Sequence, residues 1–196
     1  MSDKLFIVVM FVISYMIGNI SPAILIGRML GIDIKKQGSG NAGTTNVLRV
    51  IGKKAAAATL LIDIGKGVLA VLIGRYFLGE GLAMYCGLAA FCGHIWPVVF
   101  GFKGGKGVAT AFGVIMTVQP LLGLIELAVV IVVVLVTRRV SAGSLVGAAI
   151  FPFVAFLFSH SYLVWAALLA AIVIIKHRSN LARLIKGQEP KLNFKL

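Results

Sequence analysis

Five long apolar stretches, separated by short polar segments, make up most of the chain. They cover residues 5–30, 55–77, 82–100, 108–136 and 145–175. A helix needs about 20 apolar residues to cross a bilayer core about 30 Å thick, and each stretch is close to that length or longer. The pattern therefore predicts an all-α polytopic membrane protein.

Three of the stretches are interrupted, which predicts broken or paired helices. The breaks are Gly18-Asn19-Ile20-Ser21-Pro22, Gln119-Pro120 and Ser159-His160-Ser161. A proline removes a backbone donor and frees a carbonyl, so the exposed backbone groups need partners within the protein. The two longest stretches, 108–136 and 145–175, are therefore each either one tilted helix or two short passes.

The positions of the basic residues favour two passes, because cytoplasmic loops are enriched in Lys and Arg. Two passes in each long stretch give seven transmembrane helices, some of them short, with the N-terminus outside and the C-terminus cytoplasmic. All basic residues except Lys4, Lys66 and Arg75 then lie on the cytoplasmic side. Single passes would move Arg138 and Arg139 outside. We predict seven helices in a single integral membrane domain over residues 1–196.

Composition agrees with a membrane protein and disfavours a nucleic-acid partner. The 196 residues are 60% hydrophobic, with a mean hydropathy of +1.04, whereas soluble domains are roughly 45–50% apolar. The formal net charge is +13, but the basic residues cluster between apolar stretches, where topology and anionic lipid head groups explain them. The first stretch exceeds the length of a cleavable signal core, so we expect a permanent first helix.

The polar segment Gly38-Ser39-Gly40-Asn41-Ala42-Gly43-Thr44-Thr45-Asn46-Val47-Leu48-Arg49 differs from the apolar stretches on both sides. Its glycines let the backbone approach a bound group, and its hydroxyl, amide and guanidinium groups can hydrogen-bond to one. Such loops present several N–H groups to an anion. From this segment alone, a phosphate-binding loop and an ordinary polar connection remain equal alternatives.

A second glycine-rich segment leads into a predicted helix at Val108. It contains Lys103, Gly104, Gly105, Lys106, Gly107 and Thr110. Glycines and lysines before a helix N-terminus can form a phosphate cradle. The spacing is not that of a Walker A loop, which places four residues between its glycines and Ser or Thr after its lysine.

Two more polar segments share the predicted cytoplasmic side. Ser141 opens a helix and is either an N-cap or a site residue. His177 and Asn180 are spaced to share one helix face. Within the second stretch, Asp63 and Lys66 can neutralise each other, and we interpret them as a structural pair near the site.

Several catalytic motifs do not occur in the sequence, and this narrows the chemistry. There is no His-x4-Asp acyltransferase dyad, no Gly-x-Ser-x-Gly elbow and no His/Cys/Asp cluster typical of a metal site. We therefore expect no metal and no cofactor. Cations, amides and hydroxyls suit the binding of two phosphates and a reaction whose leaving group is already activated.

Taken in order, these motifs resemble the PlsY family, the bacterial acyl-phosphate:glycerol-3-phosphate acyltransferases. The resemblance is carried by residues 38–46 with Arg49, Asp63 with Lys66-Gly67, Gly93-His94 with Pro97, residues 103–110, Val140-Ser141 with Ser144, and His177 with Asn180, Arg183 and Gly187-Gln188-Glu189. It covers nearly the whole chain. It implies transfer of a fatty acyl group from acyl phosphate to the 1-hydroxyl of glycerol 3-phosphate, giving lysophosphatidic acid and phosphate without a covalent enzyme intermediate.

The resemblance also implies three groups of site residues. The catalytic group is Ser39, Arg49, Lys106, Ser141, His177 and Asn180. The substrate-binding group is Gly38, Gly40, Asn41, Thr45, Asn46, Lys103, Gly104, Gly105, Gly107, Thr110 and Arg183. The supporting group is Asp63, Lys66, His94 and Glu189.

The partners implied are acyl phosphate, glycerol 3-phosphate and the lipid bilayer, with neither acyl-CoA nor acyl carrier protein as direct donor. The enzyme would act in the first step of phospholipid synthesis, in the bacterial cytoplasmic (inner) membrane, with its active site on the cytoplasmic side. The general base is either His177 or the phosphate of the substrate, and we favour the phosphate. A transporter or channel and a membrane phosphatase are the rival functions; the first would need polar residues across the membrane, the second a nucleophile.

Overall fold

The computed structural model describes residues 3–158 and 160–192, and all regular secondary structure in these two ranges is helical. In chain order the α-helices are α1 (Asp3–Gly18), α2 (Pro22–Met29), α3 (Thr44–Val50), α4 (Lys53–Leu78), α5 (Glu80–Ile95), α6 (Val108–Val118), α7 (Pro120–Thr137), α8 (Val140–Phe158), α9 (Leu163–Lys176) and α10 (Arg178–Ile185). Short 3₁₀ turns at Val98–Phe100 and His160–Tyr162 follow α5 and precede α9. The predicted all-helical class is confirmed.

Among the described residues, four helices are long and apolar enough to cross a membrane: α4, α5 with the turn that follows it, α7 and α8. In the same ranges, two bent pairs raise the number to six. The first pair is α1 and α2, bent by 41°. The second is His160–Lys176, which contains α9, followed by α10, with a bend of 62°. Helix α6 is apolar but has only 11 residues. The count of seven crossings and the orientation of the termini stay predictions.

Prolines mark two of the predicted breaks, and the structure confirms both. Helix α2 begins at Pro22 and α7 at Pro120, the first helical position, where the missing N–H is not needed. Ser21 and Gln119 have extended backbones, with φ of −113° and −147°, as expected before proline. The third predicted break begins at Ser159, which lies outside the described residues.

Contacts divide the chain into two compact units, Met1–Val118 and Gln119–Leu196. The boundary coincides with the break before α7. The two glycine-rich segments belong to the first unit, and the segments around Ser141 and His177 belong to the second. The assignment of residues 1–196 to a single domain stays a prediction.

Helix α4 is the centre of the first unit, where α1, α2, α3, α5 and α6 all contact it. Its buried positions recur every three or four residues and form a stripe along one face. They are Ala56, Thr59, Asp63, Lys66, Gly67, Ala70, Val71 and Gly74. Large apolar side chains such as Leu61 and Leu69 face outward, so α4 turns its polar and small residues inward, as helices in a bilayer do.

In the second unit, α8 packs between α7 and α9. Small residues bring α8 close to α7: a Cβ on Gly143 would lie 2.7 Å from Val134 Cγ2, and one on Gly147 would lie 3.0 Å from Glu126 Oε2. On the α9 side, the rings of Phe151 and Trp165 meet edge to face, with centroids 5.9 Å apart. Helix α10 packs against the ends of α8 and α9, which places the last polar segment on this unit.

Candidate active site

The opening loop, which joins α2 to α3, is built around one buried amide. Asn46 is 0% exposed. Its Nδ2 donates to the carbonyls of Ile34 and Gln37, both at 3.1 Å, and its Oδ1 accepts from the Ser39 N–H at 2.8 Å. A Cβ on Gly38 would overlap Asn46 Oδ1. One buried side chain therefore holds the loop in a defined shape.

The outer face of this loop carries the groups that the sequence predicts for catalysis. Ser39 and Arg49 are exposed, as are Gly38 and Gly40, whose φ values of 59° and 68° lie in the left-handed region that favours glycine. Asn41 and Thr45 are half-buried. Asn46, predicted to bind substrate, lies beneath the loop and holds its shape; its part in substrate binding stays a prediction.

The second glycine segment, Gly104 to Gly107, is pinned to the end of α5. The Gly104 N–H donates to the Ile95 carbonyl at 3.2 Å, and the Gly105 N–H donates to the His94 carbonyl at 3.1 Å. These two N–H groups are therefore used within the protein. A phosphate at this segment would meet Lys106 and the first turn of α6, whose N–H groups have no partner within the helix.

Neither glycine can be replaced without a clash. A Cβ on Gly104 would overlap the His94 carbonyl oxygen, and one on Gly105 would overlap Nε2 of the His94 ring. At Gly105 the same Cβ would lie 2.7 Å from the Ala42 carbonyl oxygen. The two glycine-rich segments of the first unit therefore touch each other, with His94 beneath the contact.

The remaining predicted residues of this segment differ in exposure. Lys103 is exposed, Lys106 is half-buried and Thr110 is 0% exposed. Gly107 has a φ of 82° and directs the chain into α6. The two lysines are therefore more accessible than the Thr110 hydroxyl.

Basic groups are crowded around these loops. Lys35 Nζ lies 3.5 Å from the Phe100 carbonyl oxygen, and Lys35 Nζ and Arg28 Cζ lie 5.8 and 5.3 Å from the centre of the Phe100 ring. Burial lowers the pKa of Lys35; Asp33 opposes this change, and the charges of Lys103 and Arg28 add to it. Cations that repel one another create a positive potential that attracts anions.

A buried polar cluster lies between α4 and α5. Asp63, Lys66 and His94 are 1%, 4% and 5% exposed. Lys66 Nζ lies 2.7 Å from Asp63 Oδ1, from His94 Nδ1 and from the Ile20 carbonyl oxygen. The predicted Asp63–Lys66 pair is present, and it includes His94 as a third member.

In the second unit, polar side chains converge on the buried carboxylate of Glu189. Ser141 Oγ donates to Oε1 at 2.7 Å, Asn180 Nδ2 donates to Oε1 at 2.6 Å, and Arg183 Nε donates to Oε2 at 2.7 Å. Burial alone would raise the pKa of Glu189, but these hydrogen bonds and the Arg183 charge outweigh it and hold the pKa below its ordinary value. Glu189 therefore stays charged and fixes the direction of the Ser141 and Asn180 side chains.

His177 stands at the bend between α9 and α10, 3% exposed. Its Nδ1 lies 2.8 Å from the Val173 carbonyl oxygen. A carbonyl only accepts, so Nδ1 carries a proton and, in the neutral ring, Nε2 carries the lone pair. In the neutral ring, Nε2 is therefore the atom with acceptor character.

The structure corrects one interpretation of Ser141. Helix α8 begins at Val140, and the Ser141 hydroxyl donates to Glu189 across the unit instead of capping the helix. The sequence analysis also missed two contributors, Arg139, whose Nε donates to the Glu189 carbonyl at 3.0 Å, and the Val173 carbonyl. The position of Arg139, two residues before Ser141, was the only signal for it; a backbone carbonyl leaves none.

The described residues form an integral membrane protein with apolar spanning helices. It carries glycine segments beside cations in one unit and a polar cluster at helix ends in the other. Known proteins give the class more closely. The family model described as glycerol-3-phosphate acyltransferase matches residues 8–187. Proteins named glycerol-3-phosphate acyltransferase are similar throughout: 49% identical over 187 residues in Thermoanaerobacter sp. (strain X514), covering 94% of both chains, and 45% identical over 199 residues in Clostridioides difficile (strain 630), covering 96% of both.

A solved structure agrees with the sequence relatives. The crystal structure of PlsY, an integral membrane glycerol 3-phosphate acyltransferase, in its glycerol 3-phosphate form, matches with a TM-score of 0.91 and 34% identity, covering 95% of this chain and 96% of that one. The lysophosphatidic acid form of the same protein matches with a TM-score of 0.87. The chain belongs to the glycerol-3-phosphate acyltransferase family. It is an integral membrane acyltransferase of phospholipid biosynthesis, and the resemblance to PlsY is confirmed.

Proposed function

We propose that the enzyme transfers a fatty acyl group from acyl phosphate to the 1-hydroxyl of glycerol 3-phosphate, without a covalent enzyme intermediate. The products are lysophosphatidic acid and inorganic phosphate, and neither acyl-CoA nor acyl carrier protein is the direct donor. The observation that carries this proposal is the rigid pair of glycine segments in the first unit, set among Lys35, Lys103 and Arg28. Positive charge beside these segments suits a phosphate leaving group.

In this proposal the first unit holds the phosphate of the donor. Arg49, Lys106 and the first turn of α6 supply charge and N–H groups, and Ser39 supplies a hydroxyl on the outer face of the opening loop. Acyl phosphate is a mixed anhydride, so its leaving group needs neutralisation rather than activation. Stabilising negative charge as it develops on the departing phosphate accelerates the reaction.

The second unit holds glycerol 3-phosphate. Glu189 keeps the Ser141 and Asn180 side chains in fixed positions. Because the Ser141 hydroxyl donates its hydrogen bond to Glu189, its oxygen can act towards substrate only as an acceptor. The His177 Nε2 lone pair accepts the hydrogen of the 1-hydroxyl and so orients that hydroxyl. Alignment of this kind can supply about 7–11 kcal/mol of the barrier.

The chemical step exchanges one carbonyl–oxygen bond for another. The 1-hydroxyl oxygen of glycerol 3-phosphate forms a bond to the acyl carbon, the bond from that carbon to the phosphate oxygen breaks, and the hydroxyl proton leaves with a phosphate. The Nε2 lone pair also makes His177 a candidate for this proton. His177→Gln separates the roles: an orienting residue gives a partial loss with an unchanged pH profile, whereas a base gives a near-total loss that added imidazole restores.

Purified protein in detergent, given acyl phosphate and labelled glycerol 3-phosphate, tests the reaction. We expect labelled lysophosphatidic acid and an equal amount of inorganic phosphate, and no product when acyl-CoA or acylated carrier protein replaces acyl phosphate. Ser39→Ala and Arg49→Ala should abolish most of the activity. Product formed from acyl-CoA alone would refute the donor assignment, and uptake of labelled substrate into liposomes without product would favour a transporter.

We also propose that the protein lies in the bacterial inner membrane. The glycine-rich segments of the first unit and the residues around Glu189 in the second unit then face the cytoplasm. The charge distribution supports this orientation. Glycerol 3-phosphate is water-soluble and the acyl chain is not, so residues at the cytoplasmic surface of the membrane can reach both substrates.

A further inference from the structure

We propose that Asp63, Lys66 and His94 form a buried positioning triad for the second glycine segment, and through it for the binding of the donor phosphate. This inference rests on the proposed function. His94 is the member that contacts the segment, and Asp63 with Lys66 fixes the orientation of its ring. None of the three touches substrate in this account, so they are positioning residues.

Lys66 defines the protonation of the His94 ring. An ammonium group has three N–H donors and no acceptor. Lys66 Nζ has three acceptors at 2.7 Å: Asp63 Oδ1, His94 Nδ1 and the Ile20 carbonyl. Nδ1 therefore accepts from Lys66, and the ring proton lies on Nε2. The distance from His94 Nδ1 to Asp63 Oδ1 is longer, 3.2 Å. These two atoms both accept from the Lys66 ammonium, so neither donates to the other.

The other edge of the ring supports the glycine segment. A Cβ on Gly105 would overlap His94 Nε2 and lie 2.9 Å from Cε1, so the ring edge lies directly against the Gly105 backbone. The His94 carbonyl accepts the Gly105 N–H at 3.1 Å. One residue therefore holds Gly105 through both its side chain and its backbone. Lys106 comes next in the chain, and α6 begins two residues after Lys106.

The same arrangement reaches the opening loop. Gly105 lies against the Ala42 carbonyl, which a Cβ on Gly105 would approach to 2.7 Å. Lys66 also binds the Ile20 carbonyl in the break between α1 and α2, and α2 leads into the opening loop. The triad thus contacts α4, α5, the α1–α2 break and the second glycine segment, and a shift of His94 moves the groups that would face phosphate.

A purely structural ion pair would behave differently. Removing such a pair would change the free energy of unfolding. Binding of the two substrates would stay as before, or would weaken for both together. If the triad positions the segment, disrupting it weakens binding of the donor and not of glycerol 3-phosphate, because only the first unit holds the donor in the proposed function. The two edges of the His94 ring allow these effects to be separated, since asparagine imitates the Nδ1 edge and glutamine imitates the Nε2 edge.

The first experiment compares His94→Asn with His94→Gln. In His94→Asn the amide oxygen can still accept from Lys66, but nothing replaces the ring edge at Gly105. We expect the KM for acyl phosphate to rise by about tenfold to a hundredfold, since misplacement by about 1 Å costs about a hundredfold. The KM for glycerol 3-phosphate and the thermal midpoint should change little. His94→Gln should lower the thermal midpoint more than His94→Asn does, and it should raise the donor KM less.

Thr59→Ala is the matched control. Thr59 is a buried polar residue one turn before Asp63 on α4, and its Oγ1 donates only along its own helix, to the Ala55 carbonyl at 2.8 Å. This variant should leave both KM values unchanged, whatever its effect on the thermal midpoint. If Thr59→Ala raises the donor KM as much as His94→Asn does, the effect is one of general packing and the positioning role is refuted.

A double-mutant cycle tests the contact itself. In Gly105→Ala the new methyl meets the His94 ring, and His94→Asn removes that part of the clash. The two changes together should therefore raise the donor KM less than the product of their separate effects. Gly104→Ala is the control, because its methyl meets the His94 carbonyl and, at 2.6 Å, Pro97 Cδ, which no side chain at position 94 can relieve. That cycle should be multiplicative.

Hydrogen exchange on the substrate-free protein keeps the two proposals distinguishable. The Gly104 and Gly105 N–H groups are bonded to α5 carbonyls, and His94→Asn should speed their exchange while Thr59→Ala does not. Unchanged exchange, or multiplicative behaviour in both cycles, overturns the triad. If the wild-type protein makes no product from acyl phosphate, the donor assignment fails, but the exchange result still decides whether the triad positions the segment.

Discussion

At the residue scale, Glu189 shows how one buried carboxylate can organise groups that are far apart in sequence. It accepts from Ser141, 48 residues away, and from Asn180 and Arg183 on α10. Its backbone carbonyl accepts from Arg139. The chain after α10 is held to the start of α8 by these bonds and by the Leu192 N–H, which donates to the Arg138 carbonyl at 2.7 Å.

Stability should depend on pH through Glu189. The pKa of Glu189 in the folded state is below its ordinary value of 4.5, so folding favours the charged form. Its contribution is fully present above the ordinary pKa and is lost as pH falls from there through the folded pKa. We expect the thermal midpoint of the wild type to fall in this acid window. Glu189→Gln should have a lower midpoint at pH 7 and a flatter profile, and parallel profiles would contradict this role.

Asn46 on α3 should matter for stability more than Asn41 in the opening loop, although both amides were predicted to bind substrate. Asn46→Ala removes three hydrogen bonds, including the buried one to the Ile34 carbonyl, and each such bond contributes about 1 kcal/mol. We expect a loss of about 3 kcal/mol in the free energy of unfolding, measured by chemical denaturation in detergent. Half-buried Asn41 provides the comparison: Asn41→Ala should weaken substrate binding with little loss of stability, and equal losses would contradict this distinction.

At the element scale, the fold depends on close approach between helices at small residues. Gly67 on α4 lies so near α6 that a Cβ would overlap the Thr110 carbonyl oxygen. Gly65, two residues earlier on the same helix, has open space around its Cβ position. Gly67 therefore lies on a face of α4 that packs against protein, and Gly65 lies on an exposed face. Small residues in a sequence do not by themselves show which face of a helix is packed.

This pair of glycines gives a matched test. Gly67→Ala should push α6 away from α4 and lower the free energy of unfolding by about 1–3 kcal/mol, the usual effect of overpacking. Gly65→Ala should be neutral or stabilising by up to about 1 kcal/mol, since alanine favours helix over glycine. Thermal unfolding in the same detergent compares them. A Gly67→Ala variant as stable as Gly65→Ala would contradict the close contact of α4 with α6.

The elements themselves were predictable because their causes are local. Apolar length sets where a helix can cross a membrane, and proline sets where it breaks, so α2 and α7 begin at Pro22 and Pro120 as expected. The triad with His94 was only partly predictable: Asp63 and Lys66 are neighbours on one helix, but His94 is 28 residues from Lys66 and joins them only when α5 packs on α4. The full burial of Asn46 was not predictable, because the sequence does not show which polar residue a loop folds over.

At the scale of the whole molecule, the seven-helix topology is a statement about which side of the membrane carries the positive charge. In that topology the connection between α7 and α8, with Arg138 and Arg139, faces the cytoplasm, and so do both glycine-rich segments. Five crossings would place these two arginines outside. Arg138 is exposed, so a cysteine there can report its side of the membrane.

Arg138→Cys, in a chain with Cys86 and Cys92 replaced by alanine, should react with a membrane-impermeant maleimide in inverted membrane vesicles but not in intact cells. Gly81→Cys, near the start of α5, is the control from the other side and should react in intact cells; Gly81 is exposed, with open space at its Cβ position. Labelling of Arg138→Cys from outside would show that α7 ends on the far side. The charge argument would then fail, and with it the proposal that glycerol 3-phosphate reaches the second unit from the cytoplasm.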